Sequence, residues 1–373
     1  MKCPNCNETD HEPGAKYCHV CGALLKVIID EPQKEQQRTR FIEAESFSEG
    51  LAMVRVLNGK AGFIDKTGKM AIAPRFLHAS PILDPAFCDG LIAASVGEYP
   101  NIYYGIINHA GDFVIQPRYV MLENFSEELA PFYKDGLWGF LDKRGNEVIP
   151  AQYKSVNHFS EGLAAVEIKN QHFVYIDKTG QIVLDKTSHL VFSWNDDVFP
   201  IRKMGFSRAG SFHDGLARVE CSGKRGLIDK SGKFTHVKYD NFGVFSEGLA
   251  SFSINNYTTC GYFDKKLKVV IEPRFRDAGD FHNDRAVVYL DHKAGFIDKT
   301  GRVVIPCRFD HASAFSEGMA AIEVNKKYGY VDLSGNVTIP PRFDSVKDFS
   351  EGLAAVQENG YWGFIDKTGN YAF

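Results

Sequence analysis

The chain has no run of about 18 apolar residues, which a membrane-spanning helix would need, and its N-terminal MKCPNC lacks the apolar stretch of an export signal. An excess of one charge is missing as well. The 43 Lys and Arg against 47 Asp and Glu give a formal charge of −4 with both signs interspersed, so no long-range field draws in nucleic acid or an anionic membrane. Helical periodicity is absent over any useful length. These absences predict a cytoplasmic, β-rich chain whose contacts with nucleic acid, if any, are local.

Reactive-site patterns are absent too. There is no HExxH, no GxSxG and no GxGxxG leading into a helix. The stretch GFIDKTGK, Gly62 to Lys69, spaces its glycines six apart where a phosphate loop needs five, and no Ser or Thr follows the lysine. The 12 His occupy mostly unrelated positions, and Cys88, Cys221, Cys260 and Cys307 fall in four different places of the repeat described below. No asymmetric catalytic cluster emerges. The expectation is a non-enzyme with no catalytic residue, no small-molecule substrate and no cofactor other than a metal.

That metal is suggested by the other four cysteines. Cys3-Pro-Asn-Cys6 and Cys18-His-Val-Cys21 form two CxxC knuckles within the first 21 residues. Two such turns present four thiolates, which suit one tetrahedral Zn2+. A shell closed by Cys3, Cys6, Cys18 and Cys21 leaves no open position, so the ion is expected to be structural. Residues 1–25 resemble the short zinc ribbons at the N-termini of many bacterial proteins. Residues 26–39, charged and Gln-rich around Pro32, then read as a flexible linker.

From residue 40 onward the sequence repeats. Aligning on the Phe of FSEG gives starts at Phe47, Phe87, Phe125, Phe159, Phe212, Phe245, Phe281, Phe315 and Phe349, so nine units of about 34 residues tile residues 40–373. A second landmark, as in Gly363-Phe364-Ile365-Asp366, and a third, as in Ile339 to Phe343, follow in order. Each unit reads as three short strands. A hairpin is closed by residues such as Glu358-Asn359-Gly360, and a tight Asp-Lys-Thr-Gly turn leads to a last strand that stops at proline. The Asp of that turn is read as a backbone cap, and so is the acid of FSEG, which is Asn283 only in the seventh unit.

The pattern resembles the bacterial WG repeat, named for a Trp-Gly pair. Trp138-Gly139 and Trp362-Gly363 match in full, Tyr104-Gly105 and Tyr328-Gly329 nearly so, and the fourth unit reads Phe173-Val174-Tyr175 without the glycine. That resemblance implies no assigned activity. The expected fold is all-β, an open curved or superhelical array, with a closed propeller-like ring as the alternative. The last unit stops at Phe373, where Pro-Arg-Phe would follow, and the array opens on Arg40-Phe41, the permutation a ring would use.

Binding residues are expected where the repeat is irregular. An insertion at 185–205 carries Trp194 and Phe199, and the second unit has a longer hairpin tip with Tyr99, Tyr103 and Tyr104. Exposed aromatics on loops make anchors. The leading expectation is a binding or scaffold protein, the array recognising protein and the ribbon acting as a second contact. Nucleic-acid association through the ribbon and carbohydrate or cell-wall binding through the aromatics are the alternatives.

Overall fold

The computed structural model describes residues 41–78, 86–168, 172–185, 206–221, 223–239, 241–254 and 259–373, and the backbone of 191–194 and 197–200. The expected zinc ribbon, with Cys3, Cys6, Cys18 and Cys21, and the expected linker at 26–39 lie outside the described residues. So does part of the insertion.

All regular structure among the described residues is β-strand. None of it is a helix long and apolar enough to cross a membrane. The eighth repeat shows the pattern. Strands His311–Ala312, Met319–Val324, Lys327–Asp332 and Val337–Phe343 pair in that order, each antiparallel to the next. The sheet has one strand more than the sequence suggests. The extra strand is two residues long, too short to carry a period-2 signal. Four antiparallel strands in sequence order are the blade architecture of β-propellers.

The glycine of the Trp-Gly pair is explained by the last strand. A Cβ on Gly329 would lie 2.3 Å from the Ile339 carbonyl oxygen and 2.6 Å from the Pro341 nitrogen, because the last strand bulges across the third between Tyr328 and Tyr330. The fourth repeat tolerates Val174 because its last strand, Ile182–Leu184, is cut short there. Its hairpin pairing is nevertheless regular, with Val166 opposite Val174. The missing glycine therefore leaves the hairpin unchanged. Phe206 then pairs with Phe173, the place Phe343 holds opposite Tyr328.

Repeats are glued by aromatic pairs. In several repeats the FSEG phenylalanine packs edge-on against a third-strand ring of the repeat before it; Ile106 and Leu227 stand at that place in the second and fifth repeats. Phe159 meets Phe140 at 4.9 Å, Phe212 meets Tyr175 at 5.0 Å, and Phe349 meets Tyr330 at 4.8 Å. Each apolar core consequently lies between two repeats, as for Tyr330, Ile339, Phe349 and Val356. A single repeat has no core of its own.

The described residues form two compact units. One is Arg75–Gly248; the other combines the chain up to Pro74 with Leu249–Phe373. In the latter, the first repeat adjoins the ninth. Phe47 packs on Phe364 at 5.1 Å, the Ser350 hydroxyl donates to the Phe47 carbonyl at 2.6 Å, and Lys347 pairs with Glu45 at 2.7 Å. Phe41 is fully buried and pairs with Trp362. The ends of the array meet within this unit, the junction that the Arg40-Phe41 permutation requires.

Candidate functional site

The repeated acids serve the backbone. The FSEG acid and glycine both take positive φ, 51° and 80° for Glu317 and Gly318, forming a tight two-residue turn between Ser316 and Met319. The acid is a backbone cap as expected, and the turn it caps is that of the following repeat. Glu317 accepts the Glu351 amide at 2.6 Å and the Gly352 amide at 3.0 Å, and pairs with Lys367 at 3.2 Å. Glu161 does the same for Gly215 at 3.1 Å and Lys230 at 3.0 Å. Burial pushes the Glu317 carboxyl up, but the hydrogen bonds from Gly352, Lys367 and Glu351 outweigh it and hold its pKa below the ordinary value.

The Asp of the DKTG turn is a cap as expected. Asp298 accepts the Thr300 amide at 3.0 Å and the Arg302 amide at 3.1 Å. The Thr300 hydroxyl is the main cause of its lowered pKa. These carboxylates are thereby committed to turns. Among the described residues no group of three or more His, Cys, Asp or Glu could hold a metal ion.

The expected binding aromatics separate in space. The second repeat's hairpin is built from two eight-residue strands, Leu91–Glu98 and Asn101–Asn108. At its tip Tyr99 is 90% exposed, and Tyr103 is 41% exposed. Tyr104 points to the other face, opposite the fully buried Ser95, where burial pushes its phenol pKa up. Trp194 and Phe199 lie on a hairpin, Val191–Trp194 with Asp197–Pro200, whose backbone pairs Trp194 with Asp197 and Phe192 with Phe199. Their side chains lie outside the description.

Beside the tip runs a groove lined by Arg75, Val96, Asp112, Phe113 and Gln116. Val96 stands directly opposite Tyr103, which puts Tyr103 on the groove's face. A second groove, on the next repeat, includes Arg118, Tyr133, Lys134 and Glu147, with Trp138 packed on Tyr133 at 5.3 Å. Sequence reasoning missed these lining residues. The only signal for Val96 was its place in the strand facing the Tyr103 strand, which appears once the hairpin register is known.

These features define an all-β repeat protein with an aromatic hairpin projecting from one repeat. The WG containing repeat family model matches residues 62–82, 104–138, 138–171, 226–257, 261–293, 295–328 and 328–362. The chain belongs to that family. No curated protein matches the sequence. Among solved structures, the computationally designed Ika8 protein is 12% identical over 75% of this chain and 94% of its own, with a TM-score of 0.44. BamB from Moraxella catarrhalis is 11% identical over 87% of this chain and 96% of its own, at 0.38. Dihydro-heme d1 dehydrogenase NirN, in complex with DHE, is 12% identical over 89% and 78%, at 0.43. Likeness at this level fixes no activity or ligand for this chain.

Proposed function

We propose that this chain is a non-enzymatic binding protein whose repeats recognise another protein, with the hairpin of the second repeat as the anchor. One observation carries the reading: Tyr99 and Tyr103 are exposed at the tip of a long, regularly paired hairpin, where neither ring is needed for the core. Tyrosines of this kind supply large contact area at low entropic cost. The non-enzymatic reading is supported by the commitment of the repeated carboxylates to turns, and the expected cytoplasmic location belongs to the same proposal. Cys3, Cys6, Cys18 and Cys21 would hold one structural Zn2+, which supplies folding energy to its own segment.

The test is affinity capture with the full-length chain and with a Tyr99→Ser/Tyr103→Ser variant, identifying proteins and nucleic acids together. Proteins retained by the native chain and lost with the variant support the reading. Capture of the same proteins by both, or of nucleic acid alone, would remove it. Metal analysis of the purified chain, expected to give one zinc per molecule, checks the cysteine set.

A further inference from the structure

One contact between repeats recurs along the chain and fails at one junction. The turn acid of one repeat accepts a turn amide of the next: Glu351 from Gly50 at 3.0 Å, Glu127 from Gly162 at 2.9 Å, Glu161 from Gly215 at 3.1 Å and Asp214 from Gly248 at 3.3 Å. Glu317 accepts two amides, those of Glu351 and Gly352. A lysine from the Asp-Lys-Thr-Gly turn of the later repeat joins the carboxylate, as Lys230 does for Glu161 and Lys367 for Glu317. By repetition, the chain itself shows that these turn amides bind a carboxylate.

Between the seventh and eighth repeats both side chains are changed. Asn283 stands in place of the acid and Leu333 in place of the lysine. Among the described residues the Glu317 and Gly318 amides donate to no group. Their turn is built like that of Glu351 and Gly352, with φ 51° and 80° against 54° and 88°, so the two amides converge in the same way. The acids close by in sequence are already engaged. Asp284 pairs with Lys299 of its own repeat at 2.6 Å, and Asp332 accepts the Ser334 and Asn336 amides, each at 2.9 Å.

A second observation at this junction concerns charge. Arg285 fills the position that Leu or Met holds in the other eight repeats. Its Nη1 donates to the Asp284 carbonyl at 3.0 Å, while its Nε is buried with no hydrogen-bond partner among the described residues. This puts a positive charge with unused donor capacity two residues from Asn283, which favours an anion there. Leu333 is 38% exposed and offers an apolar surface where the other junctions offer an ammonium group.

We propose that the Glu317–Gly318 turn binds a carboxylate supplied from outside the chain, with an apolar group beside it packing on Leu333. That is the chemistry of a peptide C-terminus whose last side chain is aliphatic. The ligand takes the place that the turn acid of the preceding repeat holds at the other junctions. This inference does not depend on the tyrosine-hairpin reading.

The test follows the amide resonances of the isotope-labelled full-length chain by NMR during titration with N-acetyl-leucine, acetate and N-acetyl-leucinamide. N-acetyl-leucine is expected to shift the Glu317 and Gly318 amides saturably, acetate to need a roughly tenfold higher concentration, and the uncharged leucinamide to shift neither. The Gly352 amide, already bonded to Glu317, should stay in place. Asn283→Glu, which restores the acid of the other junctions, should abolish the shifts. Leu333→Lys should remove the preference for N-acetyl-leucine over acetate. No saturable shift at Gly318, an equal shift at Gly352, or an equal response to leucinamide overturns the proposal. Undiminished binding by Asn283→Glu does so as well. If Asn283→Glu does not fold, the Leu333→Lys chain decides, and an unchanged preference there overturns the assignment.

Discussion

The Glu351 carboxylate accepts the Gly50 amide at 3.0 Å, across 301 residues of sequence. Lys66 approaches the same carboxylate at 2.9 Å. The identical relation of Glu317 to Gly352 and Lys367, between consecutive repeats, shows that the ninth and first repeats are neighbours of the ordinary kind. Glu351→Gln and Glu317→Gln should therefore cost similar amounts, about 1 kcal/mol each after solvent screening. Chemical denaturation of both variants checks this. A neutral Glu351→Gln beside a costly Glu317→Gln would mean that the seam contributes nothing.

Acid should weaken the fold in a defined window. The carboxyls of Glu161, Glu317, Asp298 and Asp366 are all held below their ordinary pKa values. For Glu161 and Asp366 burial acts in the opposite direction, and hydrogen bonds from the neighbouring backbone, a hydroxyl or a lysine outweigh it. A depressed folded pKa gives stability that is present above the unfolded value, about 3.9 for Asp and about 4.3 for Glu, and is lost as pH falls through the folded value. Melting temperature measured from pH 7 to pH 3 should hold to about pH 5 and then drop. A rise below pH 5 would show that these caps are unimportant.

Gly329→Ala should destabilise by about 2 to 3 kcal/mol, because the new Cβ meets backbone atoms on the crossing strand and cannot be relieved by a side-chain rotation. Gly318, whose Cβ would meet nothing within 4 Å, is different. There the loss comes only from the positive φ, and Gly318→Ala should cost about 1 kcal/mol. Equal losses at the two sites would contradict the crossing geometry.

One substitution should stabilise. The third repeat reads FSEE, and Glu128 is forced to φ 77° where seven of the other repeats have glycine and the seventh repeat has Asp284 at φ 58°. Glu128→Gly removes that strain and should raise stability by about 1 kcal/mol, seen as a higher urea midpoint. An unchanged or lower midpoint would show that Glu128 has a compensating role.

The buried Tyr330 hydroxyl donates to the Lys347 carbonyl of the next repeat at 2.6 Å. Tyr330→Phe keeps the ring, as Phe296 and Phe364 do at the equivalent place. It should cost about 1 kcal/mol by leaving that carbonyl unpaired. Burial drives the Tyr330 phenol pKa far up, so absorbance titration of the folded chain should lack its ionisation up to pH 11.

The all-β class, the existence of the repeat and the Asp caps are legible because each is a local property. Asp298 bonds amides two and four residues ahead, and that reach lies inside any short window of sequence. The two-residue strands escaped notice, since a pair such as His311–Ala312 shows no alternation on its own. That the acid of FSEG is a cap is legible in the sequence, whereas the turn it caps is not. Glu317 and Gly352 are brought together only by stacking one repeat on another.

The binding residues show the same limit. Tyr99, Tyr103 and Tyr104 form one aromatic cluster in the sequence, yet strand alternation sends Tyr104 towards buried Ser95 and leaves Tyr103 on the groove's face. Sequence by itself determined the repeat, its turns and the β class, because turn chemistry and hydrophobic spacing act over a few residues. Only the tertiary structure decided which repeat each carboxylate caps, why Gly329 has no side chain and how Phe41 meets Trp362. Those facts depend on backbone segments approaching within a few ångströms from distant points in the chain, and no short-range pattern records such an approach.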